Sequence, residues 1–376
     1  MKRTFRILKY AMITIFSLLA LISFGTIIYL QQPLFGQAAS GERLERMKQS
    51  KNYRDGAFVN RSHTLPLTEG YSMPGVLFDF IFKGSPRSKP AKPLPHVQTN
   101  LKELPADSNL LVWFGHSSYY IQLNGLKILV DPVFSGNASP IPRTTRAFEG
   151  TNTYCADDFP QIDYLLISHD HYDHLDYQTI KALHGKVKKV VCGLGVGAHF
   201  EHWGYAPQTI SEHDWDESLL INDDFKIHAL PARHFSGRTF KRNTTLWMSY
   251  LLETPSQKIF IGGDSGYDSH FAEIGKRFGS IDLAILENGQ YNIAWHAIHC
   301  LPQEVAQAGK DLRAKRIMPV HSAKFSLALH SWDEPLNEVS RFSKKLNIPL
   351  VTPVIGEIVW MENEQQVFRE WWKGLE

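Results

Sequence analysis

The chain has 376 residues, of which 43% are hydrophobic, and its formal net charge is +2 at pH 7. This length and apolar content allow a large buried core in one or two domains, and one large domain with an N-terminal appendage fits the pattern best. Because basic and acidic residues nearly balance and the basic residues form no long block, we expect no nucleic-acid partner.

The first predicted element is an uncharged apolar segment, Ala11–Leu30. About twenty apolar residues suffice to cross a bilayer as a helix. They are preceded by the basic residues Lys2, Arg3, Arg6 and Lys9. We interpret residues 1–32 as a cytoplasmic stub followed by a single-pass membrane anchor. The alternatives are a cleaved signal peptide, for which Gly36–Ala38 offers small residues, and a buried core helix.

Basic residues around this segment predict its orientation. By the positive-inside rule, the basic N-terminus faces the cytoplasm and the large domain lies on the non-cytoplasmic side of the membrane. Four basic residues on the far flank oppose this orientation: Arg43, Arg46, Lys48 and Lys51. The prediction is therefore a membrane protein whose main domain faces away from the cytoplasm.

Residues 33–105 are polar and rich in turn formers. Proline and glycine in Lys83–Pro86 and Lys89–Pro95 prevent regular helix or sheet there. We expect a connecting arm that packs on the domain formed by residues 106–376. Within the arm, Val76–Phe82 is strongly apolar. It either packs on the domain, which is the interpretation we favour, or touches lipid beside the anchor.

From Leu110 onward, short apolar runs typical of strands alternate with stretches typical of helices. The pair Asn124-Gly125 between two such runs predicts a tight hairpin. The predicted strands are Leu110–Phe114, Tyr119–Leu123, Leu126–Val130, Asp163–Ile167, Lys189–Cys192, Phe225–Leu230, Thr245–Glu253, Lys258–Ile261, Leu283–Leu286 and Arg316–Val320, and the predicted helices are Tyr177–Leu183, Pro302–Leu312 and Glu334–Leu346. Strands and helices interleave without a fixed-period repeat, so we predict an α/β sandwich of sheets covered by helices.

The apolar run Asp163–Ile167 is followed at once by a cluster of histidines and aspartates. Imidazole nitrogens and carboxylate oxygens packed together at the end of a buried strand are costly unless a cation compensates them. His169, His171, Asp173 and His174 are therefore candidate ligands of zinc or another divalent transition metal. Histidines that simply face water would explain one lone loop histidine better than this cluster.

Three later residues, His234, Asp264 and His321, each stand at or just after the end of an apolar run. Because strand ends gather at one edge of a sheet, we expect them to meet the cluster. Together the seven residues supply the ligands that two zinc ions need. Two close cations lower the pKa of a shared water and neutralise charge on a phosphoryl or acyl oxygen, which predicts hydrolysis without a protein nucleophile.

The spacing His-x-His-x-Asp-His with these later residues resembles the signature of the metallo-β-lactamase superfamily. The resemblance covers roughly Leu110–Trp360 and implies a four-layer αβ/βα sandwich. It also implies a dinuclear zinc site with three ligands to each ion and one bridging carboxylate. The ligands would be His169, His171 and His234 for one zinc ion, Asp173, His174 and His321 for the other, and Asp264 as the bridge.

Other groups are expected to orient these ligands, since a ligating imidazole normally donates its second N–H to a carboxylate or carbonyl. Asp131 is the first candidate, followed by His116 and His299. Asp131 is also explained as a turn residue before a proline. Of the ligands themselves, Asp264 would orient the attacking hydroxide and Asp173 would steer it.

Within the superfamily, several motifs look like those of the N-acylphosphatidylethanolamine-hydrolysing phospholipase D group. They are Trp113–Ser118, Asp131–Ser135 with Ser139–Pro140, Gly263–Tyr267, and His299 followed by Pro302–Glu304. This resemblance implies cleavage of a phospholipid phosphodiester, releasing phosphatidic acid and an N-acylethanolamine. A membrane anchor would hold the enzyme at such a substrate. The alternatives are a lactonase of the ascorbate-6-phosphate lactonase branch and a membrane-tethered, non-catalytic metal-binding scaffold.

One stretch departs from the phospholipase pattern. Glu287-Asn288 stands where the group carries an apolar or proline-containing pair. We expect Glu287, Gln290 and Tyr291 to line the substrate pocket. A carboxylate there would disfavour an anionic phospholipid or recognise an amine.

Overall fold

The computed structural model describes residues 2–85 and 87–375 of the chain. The strands within these ranges are β1 (Tyr53–Arg54), β2 (Ala57–Phe58), β3 (Leu110–Trp113), β4 (Tyr119–Leu123), β5 (Leu126–Val130), β6 (Ile162–Leu166), β7 (Val187–Gly193), β8 (Ile210–His213), β9 (Ser218–Asn222), β10 (Phe225–Leu230), β11 (Ser249–Glu253), β12 (Lys258–Ile261), β13 (Leu283–Glu287), β14 (Ile317–Val320) and β15 (Ile358–Trp360). The α-helices are α1 (Lys2–Tyr29), α2 (Gly41–Gln49), α3 (Met73–Phe78), α4 (Tyr177–Ala182), α5 (Gly197–His202), α6 (His270–Phe278), α7 (Pro302–Asp311) and α8 (Glu334–Leu346).

Two mixed sheets organise the domain. The first has the strand order β15-β3-β4-β5-β6-β7-β8 and the second the order β14-β13-β12-β11-β10-β9. The first is antiparallel from β15 to β5 and parallel from β5 to β8. The predicted hairpin joins β4 to β5, where Asn124 and Gly125 have φ of 49° and 75°. Positive φ at both central residues is what this tight turn requires.

Side chains of each sheet alternate between an inner core and an outer core. In β5, Ile128 and Val130 belong to the core between the sheets, whereas Leu129 belongs to a second core that includes Phe200 of α5. The outer face of the second sheet forms a third core with α6, α7 and α8, which contains Phe271. This period-two pattern gives the layer order helix, sheet, sheet, helix, which is the sandwich that the resemblance implied.

Helix α1 is a candidate membrane span. Within the described ranges it is the one helix long and apolar enough to cross a bilayer, and its apolar stretch is not buried against the rest of the chain. It runs from Lys2 to Tyr29, so it contains all of the predicted apolar segment except Leu30, together with the basic residues before that segment. Length and composition alone support this assignment.

The arm formed by residues 33–105 contacts the domain at several points. Phe58 of β2, Leu94 and Leu101 are all buried there. Phe80, in the π-helical turn that follows α3, stacks on Trp295 with ring centroids 6.0 Å apart. Other apolar side chains of this stretch face solvent: Leu77, Phe78, Ile81 and Phe82. The apolar segment therefore packs on the domain along one side only.

One predicted strand needs correction, and several elements were not predicted: α2, α3, α5, α6, β1, β2, β8, β9 and β15. The strand predicted from Thr245 begins only at Ser249, because the amides of Leu246 and Met248 donate instead to Leu194 O and Ser168 O in the first sheet's loops, over 2.8 and 2.9 Å. Helix α6 was not predicted, and it contains a glycine that lowers helix propensity. A Cβ on that glycine, Gly275, would lie 2.1 Å from Asp311 O, so the close approach of α6 and α7 requires it.

Candidate metal centre

The two sheets bring the seven predicted ligands to one edge of the sandwich. Strands β10, β12 and β14 run in the same direction, so the loops that follow them start at the same edge of the second sheet. These loops carry His234, Asp264 and His321. They face the turn after β6, in the first sheet, where the other four ligands lie: His169, His171, Asp173 and His174.

The first group of three nitrogen donors is formed by His169, His171 and His234. His171 Nδ1 lies 2.8 Å from His169 Nε2 and 3.3 Å from His234 Nε2. Burial lowers the pKa of all three imidazoles, that of His169 and His234 well below the ordinary value. Neutral imidazoles keep a nitrogen lone pair for a metal, so this group could hold one cation.

A second group of donors lies beside the first. His174 Nε2 is 3.6 Å from Asp173 Oδ2 and 3.3 Å from Asp264 Oδ1, and His321 Nδ1 is 3.2 Å from the same oxygen of Asp264. The other oxygen of Asp264 lies 3.8 Å from Nε2 of both His169 and His234. The Asp264 carboxylate therefore lies between the two groups.

Unpaired polar atoms test whether these residues fit a metal. His174 Nε2 and Asp264 Oδ1 are buried and have no hydrogen-bond partner among the described residues. Such atoms are costly to bury unless something else pairs with them. Burial opposes a charge on His174, yet Asp264 and Asp173 outweigh it and raise the His174 pKa well above the usual value, so the site attracts positive charge. The residues present fit divalent metal binding.

The three predicted orienting residues occupy different positions. His174 Nδ1 donates to Asp131 Oδ2 over 2.8 Å, and His116 Nε2 donates to Asp173 Oδ2 over 2.8 Å. His299 instead pairs with Glu287, its Nδ1 lying 3.1 Å from Oε2. A main-chain oxygen missed by the sequence reasoning, Ile298 O, accepts from His234 Nδ1 over 2.9 Å. Such contacts fix which ring nitrogen remains free for a metal.

Several residues of this edge have left-handed backbone geometry without being glycine. The values of φ are 52° at His116, 41° at Asp131, 57° at Gln290 and 65° at His321. Non-glycine residues adopt such angles at a cost that neighbouring structure must offset, and they cluster at functional sites. The Asp131 carboxylate is held in place by the amide and hydroxyl of Ser168, at 2.8 and 2.6 Å.

A cavity of about 300 Å³ opens above the candidate ligands. Its wall is formed by the residues Pro66, Leu67, Met73, Val76, Phe80, His171, Asp173, Phe235, Arg242, Asp264, Gln290, Trp295, Ile298, His299, His321 and Leu327. Phe80 of this wall belongs to the apolar stretch of the arm, whereas three other pocket-wall residues were not predicted from the sequence: Phe235, Arg242 and Trp295. They come from loops with no motif around them.

Of the three predicted pocket residues, only Gln290 lines the cavity. Glu287 is buried behind His299 and accepts from Cys300 N over 2.5 Å, and burial raises its pKa to about 7. The side chain of Tyr291 turns toward α8 and donates to Glu334 Oε1 over 3.0 Å. Glu287 and Tyr291 therefore do not line the cavity, which corrects the prediction for both. Glu287 instead contacts His299, which does line it.

Comparison with known proteins supplies the family. The model of the β-lactamase superfamily domain matches residues 127–322, a range that contains all seven candidate ligands. The chain belongs to the β-lactamase superfamily. A superfamily relative from Mycobacterium tuberculosis, described as an uncharacterized protein, is 36% identical over 333 residues, which are 87% of this chain and 88% of the relative.

Two further similarities are to a phospholipase D and to a solved metallo hydrolase structure. It is 30% identical over 247 residues to N-acyl-phosphatidylethanolamine-hydrolyzing phospholipase D 1 of Caenorhabditis elegans, which covers 61% of this chain and 68% of the relative. The structure of Igni18, a metallo hydrolase from Ignicoccus hospitalis, matches with a TM-score of 0.51 at 19% identity, covering 67% of this chain and 97% of that one. The second similarity concerns the fold alone.

Proposed function

We propose that this protein is a membrane-anchored dinuclear zinc hydrolase that cleaves a phospholipid phosphodiester, with N-acylphosphatidylethanolamine as the preferred substrate class. The convergence of seven buried or half-buried donors from both sheets at the floor of an apolar cavity is the observation that carries the proposal. Similarity to the phospholipase D of Caenorhabditis elegans supports the substrate class.

Two sets of residues would hold the zinc ions. The sets are His169, His171 and His234 for one ion, Asp173, His174 and His321 for the other, and Asp264 between them. When bound, the two cations supply Lewis acidity, which favours deprotonation of water at neutral pH and neutralises charge on the phosphoryl group.

The two aspartates have separate tasks in this proposal. Asp264 Oδ1 has no hydrogen-bond partner among the described residues, so it can accept a hydrogen bond from the attacking water and orient that water. Asp173 has one oxygen fixed by His116 and lines the cavity, where it can steer the same water toward phosphorus. His234, held by Ile298 O, and His174, held by Asp131, keep the reacting geometry rigid.

The cavity wall supports an amphiphilic substrate. Val76 and Phe80 of the arm face the cavity, while neighbouring side chains of the same stretch, such as Ile81 and Phe82, are exposed to solvent. Contiguous exposed apolar surface is typical of sites that contact ligands or membranes. An acyl chain would pack on this wall while the phosphodiester reaches the donor cluster below.

The anchor is part of the proposal. Residues 1–32 would form the cytoplasmic stub and the membrane span, residues 33–105 the arm, and residues 106–376 the catalytic domain. By the positive-inside rule, the catalytic domain would lie on the non-cytoplasmic side. The linkage keeps the cavity close to a lipid surface and raises the effective substrate concentration there.

A substrate panel tests the activity. The full chain in detergent micelles, loaded with zinc, is assayed on N-acylphosphatidylethanolamine, on plain phosphatidylethanolamine and on a phosphorylated sugar lactone. We expect release of phosphatidic acid from the first lipid at a kcat/KM at least tenfold above that for the second, and no lactone opening. Faster hydrolysis of the lactone would replace the proposal with a lactonase, and metal binding without turnover would indicate a scaffold.

A further inference from the structure

The short segment between α1 and α2 lies against the turn that carries four of the candidate ligands. We call residues 33–37 the linker. Three of its backbone groups are bonded to buried side chains of the domain. Trp203 Nε1 donates to Pro33 O over 2.7 Å, Arg238 Nη2 donates to Leu34 O over 2.6 Å, and Gln37 N donates to His199 Nδ1 over 3.0 Å.

Arg238 and His199 also contact Asp170, which stands in the sequence between two of the candidate ligands. Arg238 Nη1 donates to Asp170 O over 2.7 Å and to Leu175 O over 2.8 Å. His199 Nε2 lies 3.3 Å from Asp170 Oδ2. Arg238, His199 and Asp170 are all buried, so water does not compete with these bonds.

The second residue between ligands, Tyr172, belongs to the same network. The Arg238 guanidinium lies 4.2 Å from the Tyr172 ring centroid, and Tyr172 Oη donates to Arg238 O over 2.5 Å. The ring of Phe35, in the linker, packs edge-on against Tyr172 with centroids 6.2 Å apart. Positions 169, 171, 173 and 174 of the turn thus carry the donors, and positions 170 and 172 connect the turn to the linker, Asp170 through Arg238 and His199 and Tyr172 directly through Phe35.

The hydrogen bond from Gln37 also fixes the His199 tautomer. A backbone N–H can only donate, so His199 Nδ1 must accept and the ring proton must sit on Nε2, directed at Asp170. The other Asp170 oxygen accepts from Gly237 N over 2.7 Å. Removal of the linker contact would free the ring to rotate and leave a buried carboxylate with one partner fewer.

We propose that the linker is a structural part of the metal centre, and that Arg238 and His199 are positioning residues through which it sets the spacing of the donors in the turn after β6. The inference rests on the proposed metal site and goes beyond it, because it makes the metal affinity depend on a segment that contains no ligand. It also couples the candidate membrane span to the site, since only residues 30–32 separate the linker from α1.

A pair of glycines in the N-terminal region gives a matched test. A Cβ at Gly36 would lie 2.1 Å from His199 Nδ1, whereas a Cβ at Gly41 would meet nothing within 4 Å. Both glycines have positive φ, 73° and 56°, so a Cβ strains the backbone at each, and only at Gly36 does it also meet His199. Gly36 has a ψ of −158°, in a region nearly confined to glycine, so a second variant without a backbone change is needed beside this pair. The full chain in detergent is stripped of metal and titrated with Zn²⁺ against a chelating dye, and its Co²⁺ spectrum is recorded.

We expect Gly36→Ala to weaken Zn²⁺ affinity roughly tenfold or more and to alter the Co²⁺ bands, which is the range of effect for residues that orient ligands. Gly41→Ala should bind like the unmodified chain. Because the Cβ at Gly36 must displace the His199 ring, Gly36→Ala should also have the lower Tm without metal, and the Co²⁺ bands report the donor geometry separately from this loss of stability. Trp203→Phe removes the hydrogen bond to Pro33 O and shortens the ring that stacks on His199 and lies 5.3 Å from the Arg238 guanidinium, without any change of backbone strain. It should weaken affinity by a smaller factor and provides the test if Gly36→Ala does not fold.

The outcomes separate the two proposals. If the unmodified chain binds Zn²⁺ and both Gly36→Ala and Trp203→Phe bind it as tightly, the linker inference is wrong and the proposed function stands. If the unmodified chain itself binds no Zn²⁺, the proposed function is wrong, and the inference falls with it.

Discussion

The two sheets contribute to the candidate centre in opposite ways. The turn after β6 supplies four donors within six positions, His169 to His174, and its other side is bonded to the linker through Arg238 and His199. The second sheet supplies one donor from each of three loops, at His234, Asp264 and His321, which are 87 positions apart from first to last.

This difference has a physical origin. In the turn after β6, the residues between the donors, Asp170 and Tyr172, are held by contacts with Arg238 and His199 on the other side of the turn. The donors in the second sheet's loops depend less on such support, because strand direction and hydrogen-bonded register fix where each strand ends, and His234 is held in addition by Ile298 O. The first half of the site is therefore encoded locally and the second half by topology.

The largest expected effects come from removing one donor from each half. Asp264→Ala and His171→Ala should each lower kcat on the phosphodiester by roughly 10³-fold or more, because charge that develops on the phosphoryl group loses its compensation. Metal analysis should distinguish them: Asp264→Ala removes the carboxylate between the two groups and should weaken both ions, whereas His171→Ala should leave one bound.

His202→Ala is the control for these variants, because His202 is exposed on α5 and outside the candidate site. It should retain full activity and two metal ions. Far-ultraviolet circular dichroism should be unchanged in all three variants. Full activity in Asp264→Ala would contradict the assignment of Asp264 as a ligand supplied by the second sheet.

A smaller effect on metal affinity is expected when a residue that holds a ligand, but is not itself a ligand, is replaced. Asp131→Asn removes the charge that accepts from His174 Nδ1 and should lower metal affinity by about tenfold to a hundredfold. Titration against a chelating dye measures it. Asp163→Asn, which alters a carboxylate paired with the exposed Lys188, should have no effect on metal affinity. Equal affinities in the two variants would contradict the role given to Asp131.

Most of the candidate metal ligands could be predicted from the sequence, but fewer of the residues that hold those ligands in place could be. Four of the ligands stand close together in the sequence, so their spacing alone indicates a metal site: His169, His171, Asp173 and His174. The three donors of the second sheet were predicted because each stands at or just after the end of an apolar run. The structure brings all seven together. The positive φ at Asp131 and the bond from Gln37 to His199 leave no trace in local sequence, because they depend on segments distant in the chain.

Pocket residues were the hardest to predict for the same reason. Glu287 and Gln290 are three positions apart, but only Gln290 lines the cavity, because β13 ends at Glu287 and the chain turns before reaching the opening. Helix α6 was missed since its Gly275 opposes helix formation locally, while tertiary contact with α7 requires the glycine. Propensity was overridden by packing in that case.

The smallest expected effect lies at the cavity wall, to which the arm contributes beside the second-sheet loops. Phe80→Ala removes the ring that stacks on Trp295 and should cost about 1 kcal/mol of apolar contact, which raises KM for an N-acylated phospholipid roughly fivefold and leaves kcat unchanged. Leu220→Ala, at an exposed apolar side chain of β9 outside both the cavity and the arm, should leave KM in mixed micelles unchanged. A fall in kcat for Phe80→Ala with unchanged KM would place Phe80 outside substrate binding.

The number of metal ions held by the intact chain tests the central claim most directly. The full-length protein, purified in detergent, loaded with Zn²⁺ and freed of excess metal, is measured by inductively coupled plasma mass spectrometry. Donors from two sheets that meet at one edge predict two zinc ions per chain. A value of one or less would contradict a dinuclear centre built jointly by the turn after β6 and the loops of the second sheet.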